Sequence, residues 1–290
     1  MTKIGLPRAL LYYRYGKIWQ TFFAALGCET VVSPPTDRAI MGSGGELSVD
    51  ECCLPAKLFM GHVAALQGRC DAVLVPRVVN YGPRSAVCVK FNALYDIVRT
   101  AMPDLRLLCY NIEHTRGDKA EQGLCAVGRE LGFSANVVKK AWKTALQIND
   151  VAYIKKQSPQ VIIISHPYII KDSFLGGPIL KILKELGITY VTSDDYPRAA
   201  RNAHGAQMSP DLYWLYSREC IGAIPLARDV KGIIVLSAFP CGPDALVFEL
   251  LMRQRPGGLP MIQIVLDEHD SETGLRTRLE SFCDIMVSRK

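Results

Sequence analysis

Three cysteines stand in the same kind of setting. Cys53 lies in Glu51-Cys52-Cys53-Leu54-Pro55-Ala56-Lys57, Cys88 in Val87-Cys88-Val89-Lys90-Phe91, and Cys241 in Phe239-Pro240-Cys241-Gly242-Pro243-Asp244. Each follows a strand-like run and opens a helix-like one, which is where an open α/β sheet builds its sites. Soft thiolates gathered there suit a metal ion or an iron–sulfur cluster. Helix N-termini favour that chemistry, because their unpaired N–H groups and dipole stabilise a thiolate and donate to cluster sulfide. Pro55 fits the first turn of a helix. Gly242 permits close backbone approach, and Pro243 and Asp244 are both helix-start residues. Lys57 is one turn after Cys53 and Lys90 two residues after Cys88, so both are candidates to contact an anionic cluster and offset its charge. Cys52 is a candidate fourth ligand, but neighbouring residues point in different directions, and Cys53 is preferred. The chain has no CxxC or CxxxC pair. That excludes a zinc ribbon or a local ferredoxin-type motif, so any metal site must be assembled from distant parts of the chain.

Other residues read more blandly. Cys28, Cys70, Cys109, Cys125, Cys220 and Cys283 fall within or beside helices and strands and read as small buried hydrophobes. His62, two turns beyond Cys53, reads as a hydrogen-bonded packing residue. Asp267-Glu268-His269 has the composition of a metal triad, yet adjacent residues cannot all face one ion, and a polar cap on a strand end is the better reading. Gly42-Ser43-Gly44-Gly45 lacks the Lys-Ser/Thr of a phosphate loop and is expected to be a flexible loop. Tyr213, Trp214 and Tyr216 are expected to pack in the core from a helix.

Strand and helix signals alternate along the first half. Short strands are predicted over 3–6, 30–32, 71–76 and 106–110, and helices over 10–25, 54–66 and 91–102. A long helical region over 117–156, broken near Gly132, is read as a bridge. In the second half, strands over 160–165, 188–192, 232–236 and 261–267 alternate with helices over 170–186, 244–253 and 271–290, and 210–227 is mostly helical. The pattern predicts an α/β protein of two Rossmann-like parallel-sheet domains joined by a helical segment. The expected boundaries are 1–115, 116–157 and 158–290, with the site in the crevice between the two domains.

The chain has 290 residues, 49% hydrophobic and 21% charged, which is ordinary globular composition with room for two domains. Its formal charge of +6 is spread along the sequence, which argues against nucleic-acid binding. The slight positive bias suits an anionic ligand such as a nucleotide-bearing thioester. With no signal peptide and no apolar run of transmembrane length, the expected location is cytoplasmic, where thiols stay reduced.

The same residues carry a family resemblance. Asp50-Glu51-Cys52-Cys53-Leu54-Pro55-Ala56-Lys57 through Gly61-His62, Phe239 to Asp244, and Asp267-Glu268-His269 followed by Thr277-Arg278-Leu279-Glu280 resemble the 2-hydroxyacyl-CoA dehydratase superfamily. The closer likeness is to its branch related to acyl-CoA dehydratase activases. Ile4-Gly5-Leu6-Pro7-Arg8-Ala9-Leu10 and His166-Pro167-Tyr168 add to it, so the likeness spans nearly the whole chain. The resemblance implies that Cys53, Cys88 and Cys241 bind a 4Fe-4S cluster between two Rossmann-like domains, with the last iron open. It implies a separate ATP-dependent activase of actin-like fold as electron donor, an acyl-CoA or other small substrate, and a homodimer. Relatives with a double-cubane cluster carry out other low-potential reductions. Cys88-Val89 departs from the usual Cys-Pro of the family, and the chain is shorter than the catalytic subunits, so the cluster is better supported than the dehydration. The expected function is therefore an anaerobic iron–sulfur protein taking electrons from the activase for a reductive or dehydration reaction. The alternatives are a non-catalytic cluster carrier, scaffold or electron-transfer partner, and a metal-free binding protein whose cysteines only pack.

Overall fold

The run Val161-Ile162-Ile163-Ile164 has no polar face to turn toward water, and a strand of that kind needs helices on both sides. A computed structural model describes residues 1–147, 159–254, 256–269 and 271–288 and shows that arrangement in both halves of the chain. The protein is mixed α/β, with two units, Met1–Asp150 and Val151–Lys290, each carrying a four-stranded parallel sheet.

The first unit runs β1 (Lys3–Leu6), α1 (Tyr12–Ala25), β2 (Glu29–Val32), α2 (Arg38–Glu46), α3 (Leu54–Ala64), β3 (Ala72–Leu74), β4 (Arg77–Asn80), α4 (Lys90–Ala101), β5 (Leu107–Leu108), β6 (Asn111–Glu113), α5 (Ala120–Glu130) and α6 (Ala135–Leu146). The main sheet has the order β2-β1-β3-β5. Strand β1 is the pivot, with Gly5 opposite both Val31 and Val73. Helix α1 buries Trp19, Phe22 and Phe23, spaced to lie on one face, and the Trp19 indole N–H donates to the Tyr110 hydroxyl at 2.9 Å. Gly27, at φ 78°, closes the helix: its N–H reaches Ala24 O and that of Cys28 reaches Phe23 O.

Strands β4 and β6 form a two-stranded parallel sheet that extends β3 and β5. The ladder crosses Pro76 without a break, because Val75 N–H donates to Leu108 O at 2.8 Å and Arg77 N–H to Tyr110 O at 2.9 Å. Pro76 falls on the alternate residue, whose missing N–H would face away from that partner. Sequence reading ended the first of these strands at the proline and did not find β4 or β6.

The second unit runs β7 (Val161–Ile164), α7 (Pro167–Ile170), α8 (Gly176–Glu185), β8 (Tyr190–Thr192), α9 (Arg198–Met208), α10 (Leu215–Ile221), β9 (Gly232–Ala238), α11 (Gly242–Gln254), β10 (Met261–Leu266) and α12 (Glu272–Ser288). Its sheet has the order β10-β9-β7-β8, all parallel. Ile162, Ile164, Ile221, Ile233, Val235 and Leu251 are central to its core.

Several expectations are corrected. Residues 42–45 lie in helix α2, not in a flexible loop. Glycine is a poor helix former, but here it is needed for close contact: a Cβ on Gly44 would lie 2.0 Å from Lys57 O, and one on Gly61 would lie 1.9 Å from Ile40 O. Helices α2 and α3 thus cross at backbone distance. The helix predicted over 170–186 begins only at Gly176, after the short helix Pro167–Ile170, because the buried Asp172 carboxylate accepts from the N–H groups of Phe174 and Leu175 and turns the chain between them. Within 210–227 only a short helix and one 3-10 turn form, and of the three aromatics only Tyr216 is helical. Tyr216 is buried, while Tyr213 is exposed and its ring packs on Trp214 at 4.7 Å. The region over 117–156 folds as α5 and α6 with Gly132 between them, and its end beyond residue 147 lies outside the described residues. Helix α9 had no counterpart in the sequence reading.

Candidate functional site

In an open parallel sheet, ligands bind beyond the strand carboxyl ends where the strand order reverses. In the first unit the reversal lies between β1 and β3, and in the second between β7 and β9.

Cys53 is the N-cap of α3, with extended backbone at ψ 145°, and Pro55 stands in the first turn as expected. The carbonyl of Cys53 accepts from the N–H groups of Ala56 and Lys57, and its half-buried thiol also lies against the Ala56 N–H. Cys88 is positioned by the chain's return from β4. Tyr81 N–H donates to Ser85 O, Val87 N–H to Val79 O, and Phe91 N–H to Cys88 O as α4 begins. This return brings Cys88 within electrostatic range of Cys53, although the two are far apart in sequence. Burial pushes the Cys53 thiol above its ordinary pKa; the Ala56 N–H and Lys90 oppose that, and the Cys52 and Cys88 sulfurs add to it. Lys90 donates from Nζ to Cys52 Sγ at 3.6 Å. Cys52 is itself buried, so the vicinal pair divides, one sulfur inward toward Lys90 and the other half-open at the helix start. Lys57 is buried in α3, with its carbonyl at the Gly44 crossing.

His62, fully buried on the same helix, bonds Ser33 Oγ through Nδ1 at 2.9 Å and Thr36 Oγ1 through Nε2 at 3.0 Å. Ser33 Oγ also accepts from the Arg8 N–H at 2.8 Å. The network therefore joins the Pro7-Arg8 loop after β1 to the helix that carries Cys53, which is the packing role expected of His62.

Cys241 follows β9 and stands immediately before α11, half-buried, with its carbonyl accepting from Ala245 N–H at 3.0 Å. Asp244, in the first turn, is buried and pairs with His166 Nε2 at 2.8 Å. His166 is the N-cap of α7 after β7, so this pair links the two loops at the strand-order reversal. The other ring nitrogen faces Cys220 Sγ at 3.7 Å, the thiol itself lies 3.3 Å from Ser165 O, and Tyr168 stacks on the ring at 4.9 Å. Burial opposes a charge on His166, but the adjacent Asp244 carboxylate and the Cys220 sulfur outweigh it and hold the imidazole well above its ordinary pKa. Sequence reading missed this pair, whose signal was a His-Pro and a Gly-Pro-Asp each following a buried strand.

The remaining candidates are structural. Asp267 Oδ1 accepts from Glu268 N–H at 2.5 Å, and His269 is exposed beside Glu268. Thr277 and Arg278 donate to carbonyls one turn back in α12. Cys28, Cys220 and Cys283 are buried, whereas Cys70, Cys109 and Cys125 are half-buried. Among the described residues no group of three or more His, Cys, Asp or Glu side chains is set to hold a metal ion. The donor chemistry of Cys53 and Cys88, two thiols at adjacent helix starts, fits a share in a thiolate-bound cluster.

Residues 3–195, about two thirds of the chain, match the family model described as CoA enzyme activase uncharacterised domain (DUF2229). The chain belongs to this family. The matched span holds Cys53, Cys88 and His166, and Cys241 lies beyond it. No curated protein matches the chain. Among the described residues no helix is long and apolar enough to cross a membrane.

Proposed function

We propose that Cys53, Cys88 and Cys241 are thiolate ligands of a 4Fe-4S-type cluster, and that the protein takes low-potential electrons from an ATP-dependent activase for a reductive or dehydration reaction on an acyl-CoA or other small substrate. The observation that carries this reading is the meeting of Cys53 and Cys88, with Lys90, at the starts of α3 and α4. Membership of an activase-related family supports the activase as donor. When bound, such a cluster supplies one-electron transfer and, at an iron without a protein ligand, Lewis acidity. The chain's own residues serve it in separate ways. The Ala56 N–H donates toward Cys53, Lys90 brings positive charge, and the His166–Asp244 pair fixes the turn that carries Cys241.

The second reading is an electron-transfer partner or carrier. Anaerobic reconstitution with iron and sulfide, followed by metal and sulfide analysis and spectroscopy, tests the ligand set. Cys53→Ala, Cys88→Ala and Cys241→Ala should each lose the cluster, and ordinary yield in all three defeats the assignment. Binding of an exchangeable small ligand to the cluster would separate an enzyme from a carrier.

A further inference from the structure

Helices α5 and α6 leave a cavity of about 410 Å³ within the first unit, lined by Lys119, Glu121, Gln122, Cys125, Arg129, Ala135, Val138 and Lys139. Its shape follows from the sequence. Gln122, Cys125 and Arg129 recur at helical spacing along α5, and Ala135, Val138 and Lys139 do so along α6. The helices close on each other where Gly128 meets Val138: a Cβ on Gly128 would lie 2.8 Å from a Val138 methyl. Gly123 fits against Tyr110 in the same way, so α5 is held from two sides.

The charge in this cavity is one-sided. Three cations, Lys119, Arg129 and Lys139, face one carboxylate, Glu121. Arg129 folds back so that its Nε donates to Cys125 O at 3.3 Å. Glu121, Arg129 and Lys139 lie within electrostatic range of the Cys125 sulfur, although all three are exposed residues. Helix α6 adds Lys140 and Lys143 and has no acidic residue between Ala135 and Leu146. Lysine acts on phosphoryl oxygens as a point charge and arginine as a planar fork. The volume is within the range of small-ligand pockets, and Ala135 and Val138 supply an apolar wall.

We propose that the cavity between α5 and α6 binds a diphosphate group, either as inorganic pyrophosphate or as the diphosphate of a nucleotide. This site is separate from the thiols of α3 and α4, and it stands whether or not a cluster binds there. Cys125 provides the readout. Its half-buried thiol lines the cavity, and burial and Glu121 raise its pKa against Arg129 and Lys139, so it should alkylate slowly. A ligand seated over it should slow it further, with the half-buried Cys70 and Cys109 as internal references.

The experiment is iodoacetamide labelling of the full chain, with the modified cysteine identified by mass spectrometry. Labelling is run alone, with inorganic pyrophosphate, and with ADP. Selective protection of Cys125 by at least about tenfold, at or below about 1 mM ligand, is the expected result. Protection by pyrophosphate assigns the bare diphosphate, and protection by ADP alone assigns the nucleotide. In Lys139→Glu, and independently in Lys119→Glu, both exposed positions, the protection should fall by about tenfold or more. Absence of protection by either ligand, or equal protection in both charge-reversed variants, overturns the proposal.

Discussion

Replacing Gly44 with alanine is the sharpest test of how the first thiol is held. The added methyl would lie 2.0 Å from Lys57 O, 2.7 Å from Lys57 C and 3.1 Å from Gly61 N. Real Cβ atoms essentially never approach within 3.0 Å, so α2 and α3 must separate by about 1 Å, and because the obstacle is backbone no rotamer change can relieve it. Overpacking of this kind costs about 1–3 kcal/mol and occasionally more. Alanine returns up to about 1 kcal/mol of helix propensity. Gly42 provides the control, since it lies in the same helix, is exposed, and a Cβ there meets nothing within 4 Å. Gly42→Ala should therefore stabilise by up to about 1 kcal/mol; the propensity gain is common to both variants, leaving a difference of about 1–3 kcal/mol between them. At about 2–4 °C per kcal/mol for a domain of this scale, that is a gap of roughly 2–12 °C in Tm by circular dichroism. The displaced α3 carries Cys53 at its N-cap, so, on the proposed ligand set, reconstituted cluster yield should fall in Gly44→Ala and not in Gly42→Ala. If the two variants melt within about 1 °C of each other, the close crossing is not what fixes α3.

Two further outcomes follow from the second unit. The His166–Asp244 pair should stabilise most at low pH: its contribution is complete below the ordinary histidine pKa of about 6.5 and is lost as pH rises through the raised value of the folded state. Asp244→Asn should therefore cost about 3 kcal/mol in urea unfolding near pH 6 and progressively less in alkaline buffer, and a cost that does not change with pH would refute the charged pair. Arg201 is 2% exposed, donates to Asp194 Oδ1 at 3.0 Å and to Tyr196 O at 2.9 Å, and shares Asp194 with Lys171. Arg201→Ala should cost about 3–5 kcal/mol by the same assay, and a loss below about 1 kcal/mol would show the network to be dispensable.

The strands of the two four-stranded sheets were legible, and β7 and β9 stand out in the sequence because buried parallel strands are apolar on both faces. The helix starts just after Cys53 and close after Cys241 were legible from proline, glycine and capping chemistry. Helix α9 was not, because its two buried residues are Arg201 and Gly205, and neither gives an apolar period. The glycines of α2 were misread because their role is set by α3, and contact across a helix crossing leaves no trace in local propensity. Of the site, the residue types and their places at helix starts could be read. The meeting of Cys53 with Cys88 was implied by the family resemblance, whereas the Lys90–Cys52 contact and the His166–Asp244 pair could not be read, since each depends on how distant segments pack.

The arm formed by β4 and β6 gives Cys88 a different footing from Cys53. Asn80, at the tip of β4, donates from Nδ2 to Thr115 Oγ1 and accepts at Oδ1 from the N–H groups of Thr115 and Gly82. A single carboxamide thus stitches the outgoing strand, the turn that leads to Cys88 and the segment after β6. One sulfur is anchored by a helix locked into its neighbour; the other is placed by a ribbon that Asn80, the Tyr81–Ser85 and Val87–Val79 backbone bonds and the Arg77–Asp96 pair to α4 hold together. Loss of the Asn80 carboxamide would therefore loosen the setting of Cys88 while the ladder around β1 keeps its own bonds.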